Sequence, residues 1–417
     1  MEKTLSPDTQ KNFQEFLAKK PQSIQSIQKA ALEKAVAIGY PKNKAEEFTF
    51  VPTSGFSSYL EEVPQSSAVS VEDTLPQGIK VLSLQEALTR KEESWDVQEL
   101  QKTYAKNLAQ EEDLHSAIAQ ASSSALFVYI PKGVSVEKAI TLSSLSKITG
   151  NSVRQDTFVW IYADHGSNTI WNIESKESQV HQNHSYLVQL ESKAKIQWVS
   201  YLCPLGGKEE VTSHHFDKVS VLLQEDSIFQ GIAATALTHS NHLARTAIEA
   251  ALLGEGSHFE WNSASVVSTK NQSHTYLNIH HAVPRATSKQ CFKNVLAGSS
   301  RTSVDGTVHV HKDAQETEAE QLINNLMLSD NCKANNKPNL QIYADDVKCA
   351  HGATVGQLDA DQLFYLQSRG FSLEQAKATL TSSYVEELIE KIDDNSLRTQ
   401  IAENIANAMK VMVSGGS

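Results

Sequence analysis

Hydrophobic and polar positions change their rhythm twice along this chain, and each change marks a different kind of element. Near the start, Phe13, Phe16 and Leu17 fall on one helical face, and Ile24, Ile27 and Ala31 continue that spacing in a second element. Gly39 and Pro41 sit where a helix stops. Ser83, followed three residues later by Glu86, has capping-box spacing and opens another helix. Residues 51–78, rich in Ser, Pro and Gly, read as a surface connection. Residues 1–124 are therefore expected to be mostly helical with a surface linker, a unit for packing or docking.

From about Ser124 the period shortens to two. β-rich runs recur: ALFVYI (125–130), TFVWIY (157–162), NTIWNI (168–173), KIQWVSY (195–201), KVSVLL (218–223), TAIEAALL (246–253), HFEW (258–261), TVHVH (307–311) and LQIYA (340–344). Short turns of Gly, Ser, Asn or Asp separate them. No helical stretch long enough for a crossover lies between Ser124 and about Ala314, which excludes a doubly wound sheet. A sandwich, a barrel or a β-solenoid remains. About a dozen strands without NG or DG hairpin loops favour the solenoid, whose coils turn by gentle corners. No single clean sequence period emerges.

After Gly356 the helical spacing returns. Asp359 can cap DQLFYLQSR, Gly370 ends it, and Ser372 with Gln375 forms a second capping box. Leu380, Tyr384 and Leu388 then repeat at four-residue spacing, and Leu397, Ile401, Ile405 and Met412 form the face of a last helix. The expected division is thus 1–124, a β core over 125–352, and a compact helical region over 353–417.

Composition narrows the function classes. A chain of 417 residues exceeds one ordinary core, and 40% hydrophobic with 21% charged residues describes a soluble globular protein. The formal charge of −12 disfavours nonspecific nucleic-acid binding and docking on an anionic membrane. The stretch MEKTLSPDTQKNFQEFLAKK lacks an apolar signal region, and no run approaches the roughly 20 apolar residues of a spanning helix. No Arg- and Ser-rich leader is visible either, so a cytoplasmic location is expected. Cys203, Cys291, Cys332 and Cys349 show no CxxC spacing and are expected to stay reduced. The sequons at Asn183 and Asn271 are then coincidental.

Few motifs carry chemistry. Gly206-Gly207-Lys208 is followed by Glu209 where a P-loop needs Ser or Thr, so no ATPase site of that kind is present. Histidines come in pairs: His181 and His184, His214 and His215, His239 and His242, His280 and His281, His309 and His311. In TVHVH the alternation places His309 and His311 opposite Val308 and Val310. These pairs read as surface or packing residues. No GxSxG elbow is present, and no carboxylate cluster singles out a carbohydrate-cleaving site. Cys349 and His351 stand apart: two soft ligands, one residue between them, on one side of an extended segment. Either Cys349 is a buried structural cysteine, or the pair is half of a metal site completed by another chain.

YADDVKCAHGATVGQLD (343–359), with QLFYLQSRGFSLEQAKATL after it, closely resembles the SufB/SufD family of the SUF iron–sulfur cluster assembly system. The likeness extends to LFVYIPKGVSVEKAI (126–140), KNVLAGSSRTSVDGTVHVHKDAQETEAEQLINNLMLS (293–329) and KPNLQIYADDVK (337–348). Phe48 stands where relatives are expected to carry Trp, and Glu318 where they carry Asp. The order Cys-Ala-His-Gly, in place of Cys-Gly-Ala-His, is nearer to the SufD members than to the SufB members.

The resemblance implies a central right-handed parallel β-helix flanked by N- and C-terminal helical regions. It implies pairing with a SufB-like subunit, or with itself, through the end strands of the β-helix, and docking of a SufC-like ATPase on the C-terminal helices. It also implies a non-catalytic scaffold role, with sulfur reaching the complex from a desulfurase system and the ATPase activity residing in the partner. His351 is expected to help hold a transient iron–sulfur cluster shared across the interface, with Cys349 as an auxiliary thiol. Two other readings remain open: a β-solenoid enzyme acting on carbohydrate, and a homodimeric interaction module without a cluster role.

Overall fold

In β-strands the alternation of apolar and polar residues gives each strand an inner and an outer face, and here the inner faces close on each other. The computed structural model describes residues 6–18, 22–40, 48–52, 68–71, 75–76, 78–121, 125–145, 153–175, 180–204, 212–239 and 241–414. Eighteen strands among them form two sheets of nine. One sheet holds β1 (Ala68–Val71), β4 (Ile140–Leu145), β6 (Asn168–Ser175), β8 (Lys195–Leu202), β10 (Ile228–Leu237), β12 (His258–Val267), β14 (Thr287–Leu296), β16 (Thr317–Met327) and β18 (Val347–Gly356), in that order. The other runs from β17 (Lys333–Ile342) through β15 (Arg301–Val310), β13 (Gln272–His281), β11 (Asn241–Leu252), β9 (Thr212–Leu223), β7 (Val180–Leu190), β5 (Val153–Ala163) and β3 (Leu126–Ile130) to β2 (Lys80–Ser83).

From β3 onward consecutive strands lie in opposite sheets, so each sheet neighbour comes from the next coil and pairs in parallel. The result is a parallel β-solenoid of about seven turns with helices at both ends of the chain. Each of the nine runs recognised in the sequence overlaps a strand, four of them (125–130, 246–253, 307–311 and 340–344) running past one of its ends, and the strands are more numerous than the dozen expected. β1 and β2, which pair antiparallel with β4 and β3, add strand to the N-terminal region expected to be helical. The side chains of Phe13, Phe16, Leu17, Ile24 and Ile27, the segment 206–208 and most of residues 51–78 lie outside the described part.

The coils turn through a repeated corner. Gly133, Gly166, Lys193, Asp226, Gly256, Arg285 and Glu316 all have φ between 55° and 71°, the left-handed region. Successive corners are joined by hydrogen bonds, among them Gly166 N–H to Ser192 O at 3.1 Å, Lys193 N–H to Glu225 O at 2.9 Å and Asp226 N–H to Glu255 O at 2.9 Å. Only three of these seven corners are glycine, so the mark they leave in the sequence is faint.

The interior holds Val159, Ile161, Val188, Val221, Ile248 and Ile279 from one sheet against Trp171, Trp198, Phe229, Phe259, Trp261 and Phe292 from the other. Each outer face is covered by helices. Leu114–Gln120, buried along its whole length, packs over Phe158, Trp160, Leu187 and Phe216. Leu373–Ile389 and Asn395–Ser414 bury Val385, Leu388, Ile401, Ile405 and Met412 over Val199, Ile232, Ala264 and Val295 of the opposite sheet. The expected caps are all present: Ser83 with Glu86, Asp359, and Ser372 with Gln375.

Candidate functional site at the open end of the solenoid

β17 and β18 end their sheets, so each has a single strand neighbour and a row of backbone N–H and C=O groups at a free edge. Both are ten residues long and neither contains a buried residue. At the other end the terminal strands β1 and β2 are four residues each. Short edges are one way a sheet avoids pairing with another chain. The β17–β18 end lacks that protection.

His351 sits on β18 at the top of a column of inward-facing residues. Register pairs Trp171 with Trp198, Trp198 with Gly231, Gly231 with Trp261, Trp261 with Gln290, Gln290 with Gln321, and Gln321 with His351. Cys349 ends the adjacent column of Ile196, Phe229, Phe259, Ser288 and Ala319. Toward the open end both columns turn from aromatic to small or polar. The amides of Gln290 and Gln321 are buried and have no hydrogen-bond partner among the described residues. The mouth of the solenoid is thus polar, unlike its middle.

The two sequence-predicted residues therefore share the inward side of one strand, as their spacing requires. His351 is exposed, whereas Cys349 is half-buried against the core. Burial pushes the Cys349 thiol up, only partly offset by a backbone hydrogen bond at Ala319, so it is protonated at neutral pH. It becomes a strong ligand only when a metal or a partner's positive charge displaces that proton. Among the described residues the one cluster of three or more close His, Cys, Asp or Glu donors lies elsewhere, so the mouth offers two donors at most.

His309 and His311 stay on one side, both against His280, while the adjacent pairs separate. Neighbours in sequence point to opposite sides, and the real partners lie one coil away. His181 Nδ1 and His214 Nδ1 meet at 2.9 Å under the N-terminal helices, and His280 stacks on His309 with ring centroids 4.4 Å apart. His184 and His215 face inward together beside Asp217. The expectation of bland packing roles overlooked Asp217, two residues after His215 and so on the same side; that His-x-Asp spacing within a strand was the available signal. The sequon residues Asn183 and Asn271 are buried. None of the four cysteines is in a disulfide.

A second surface feature adjoins the mouth. The helix Ala360–Ser368 buries none of its residues. Phe364 is 72% exposed and Tyr365 57%, with Phe371 and Leu373 also exposed beyond it. Contiguous exposed aromatics of this kind mark contact sites.

A family model described as "SUF system FeS cluster assembly, SufBD core domain" matches residues 207–384, and one described as "SufBD protein N-terminal region" matches residues 62–142. The chain belongs to the SufBD family. The SufBD core match contains β18, and with it Cys349 and His351. Protein ABCI7, chloroplastic, of Arabidopsis thaliana is 32% identical over 291 residues, 67% of this chain and 59% of the relative. The iron–sulfur cluster assembly protein SufD of Escherichia coli K12 is 33% identical over 205 residues, 48% of this chain and 47% of the relative. The SufBD family protein slr0076 of Synechocystis is 34% identical over 152 residues, 36% of this chain and 34% of the relative. The matches thus span less than two thirds of these relatives. No described helix is long and apolar enough to cross a membrane.

Proposed function

We propose that this chain is a SufD-type scaffold subunit, without catalytic activity of its own, at whose open solenoid end an iron–sulfur cluster is assembled as cargo. The observation that carries this reading is the meeting of an unpaired double strand edge with two inward-facing ligands that have no third donor beside them. Another solenoid, a SufB-like subunit or a second copy of this chain, adds its strands to β17 and β18 and supplies the missing ligands. His351 then holds the nascent cluster through a neutral imidazole nitrogen, and Cys349 is an auxiliary thiol. Sulfur reaches this interface through the complex from a desulfurase system, and the finished cluster passes to an acceptor protein.

A SufC-like ATPase docks on the exposed aromatic side of Ala360–Ser368. Its movement is transmitted by the two helices that follow, which are bolted to the solenoid by Lys391–Glu260 at 2.6 Å and Lys293–Glu387 at 2.5 Å. The reading as a carbohydrate enzyme has less support. The wide outer groove of about 700 Å³ is lined by Glu111 and Glu249, and both carboxylates are spent on Lys218, at 2.6 and 3.0 Å.

The test combines pull-down with anaerobic reconstitution. His351→Ala is expected to retain both partner subunits and lose cluster formation on the assembled complex. A normal cluster yield from that variant removes His351 from the mechanism.

A further inference from the structure

Far from the mouth, the inside of the solenoid holds a second set of ligands. His184 on β7 and Asp217 on β9 are register partners, and His215 precedes Asp217 by two residues on the same inward side. His184 Nδ1 lies 3.0 Å from Asp217 Oδ1, and His215 Nε2 lies 2.9 Å from Asp217 Oδ2. One donor atom from each of the three falls within 4.8 Å of the others. They line a cavity of about 30 Å³ between the two sheets, together with Tyr186, Ser200 and Thr246. That is room for a water or two.

The hydrogen bonds around these groups fix which atoms face one another. His215 Nδ1 is 2.8 Å from Gln182 Oε1, an acceptor, so Nδ1 carries the proton and donates it. A neutral His215 then points the lone pair of Nε2 at a carboxylate oxygen 2.9 Å away. Two acceptors at that distance repel unless a positive charge lies between them. His184 Nε2 is buried and has no hydrogen-bond partner among the described residues, so a proton placed there faces the cavity and leaves Nδ1 free as a ligand.

We propose that His184, His215 and Asp217 form a binding site for a divalent first-row transition-metal ion inside the solenoid, separate from the cluster site at its mouth. Two imidazoles and one carboxylate suit iron or zinc. Bonds of about 2.1 Å place adjacent ligand atoms roughly 3.0–3.4 Å apart; each histidine already lies at 2.9–3.0 Å from a carboxylate oxygen, and the three donors, within 4.8 Å of one another, need only a small closure. Gln182 orients His215 through its second nitrogen, the usual arrangement for a metal-bound imidazole. The ion ties β7 to β9 across one coil, and water from the cavity completes its coordination.

The experiment uses the full chain carrying Cys349→Ser and His351→Ala, so that the mouth contributes no donor, stripped with a chelator and titrated with Co(II) and then Zn(II). One Co(II) per chain is expected, with visible d–d absorption, no near-ultraviolet thiolate band, and displacement by Zn(II). Adding Asp217→Asn should weaken binding at least tenfold. X-ray absorption of the zinc-loaded chain, which needs no further variant, should show only nitrogen and oxygen neighbours with imidazole scattering. Absence of stoichiometric binding, a sulfur neighbour, or unchanged affinity in Asp217→Asn overturns the assignment.

Discussion

Mild acid should unfold this solenoid, because it buries several imidazoles in the neutral form. His115, His242, His274 and His281 are 2%, 6%, 3% and 0% exposed. Burial pushes their pKa values down to about 3, 4, 3 and 4. For His115 the carboxylate of Asp113 opposes the shift, while Arg245 adds to it. For His274 the cations Arg245 and Arg301 add to it. In the unfolded chain each titrates near about 6.5. The folded values are depressed, so the unfolded chain binds more protons between about pH 4 and 6.5. Stability is complete above that window and falls as pH drops through it. Between pH 6.5 and 5.5 each imidazole accounts for about 1 kcal/mol, so the four together account for about 4 kcal/mol. That is a large share of the 5–15 kcal/mol typical of a folded protein. Proton uptake on urea unfolding at a clamped pH of 5.5 measures this without assuming a two-state transition; roughly 3–4 protons are expected from these side chains. His274→Gln should lower the uptake by about one. Uptake of less than one proton, or a urea midpoint unchanged between pH 7 and 5.5, would refute the reasoning.

Three further outcomes are expected. Asp113 both caps Leu114–Gln120 and pairs with buried Arg245 at 2.5 Å, so Asp113→Ala should cost about 3–5 kcal/mol in thermal or urea unfolding, and adding Arg245→Met should recover part of it. A Cβ on Gly231 would lie 2.2 Å from Trp261 Cε3, so Gly231→Val should destabilise by about 1–3 kcal/mol or more, read as a fall in Tm. Phe364→Ser with Tyr365→Ser removes exposed rings only; circular dichroism should not change, while co-purification with a SufC-like ATPase should be lost.

The strands were legible because half-burial writes a period of two, and the C-terminal helices because Asp359, Ser372 and Gln375 announce their starts. The coil repeat was not legible. Along one sheet, Asn168 pairs with Lys195, Lys195 with Ile228, Ile228 with His258 and His258 with Thr287, steps of 27, 33, 30 and 29 residues. Insertions at the corners leave the stacked strands in register while erasing any fixed spacing in the sequence. The same physics separates the two sites. Cys349 and His351 lie on one strand, so a two-residue spacing reveals them and the family's wording marks them. His184 and Asp217 are neighbours only because one coil happens to be 33 residues long, a length that no local pattern encodes. In a solenoid the chemistry within a strand can be read from the chain, whereas chemistry between coils depends on the register. The lumenal histidines therefore acquire a meaning only when the coils are stacked, and a one-residue slip of β9 against β7 would turn Asp217 away from His184 and dismantle that site while leaving Cys349 and His351 untouched.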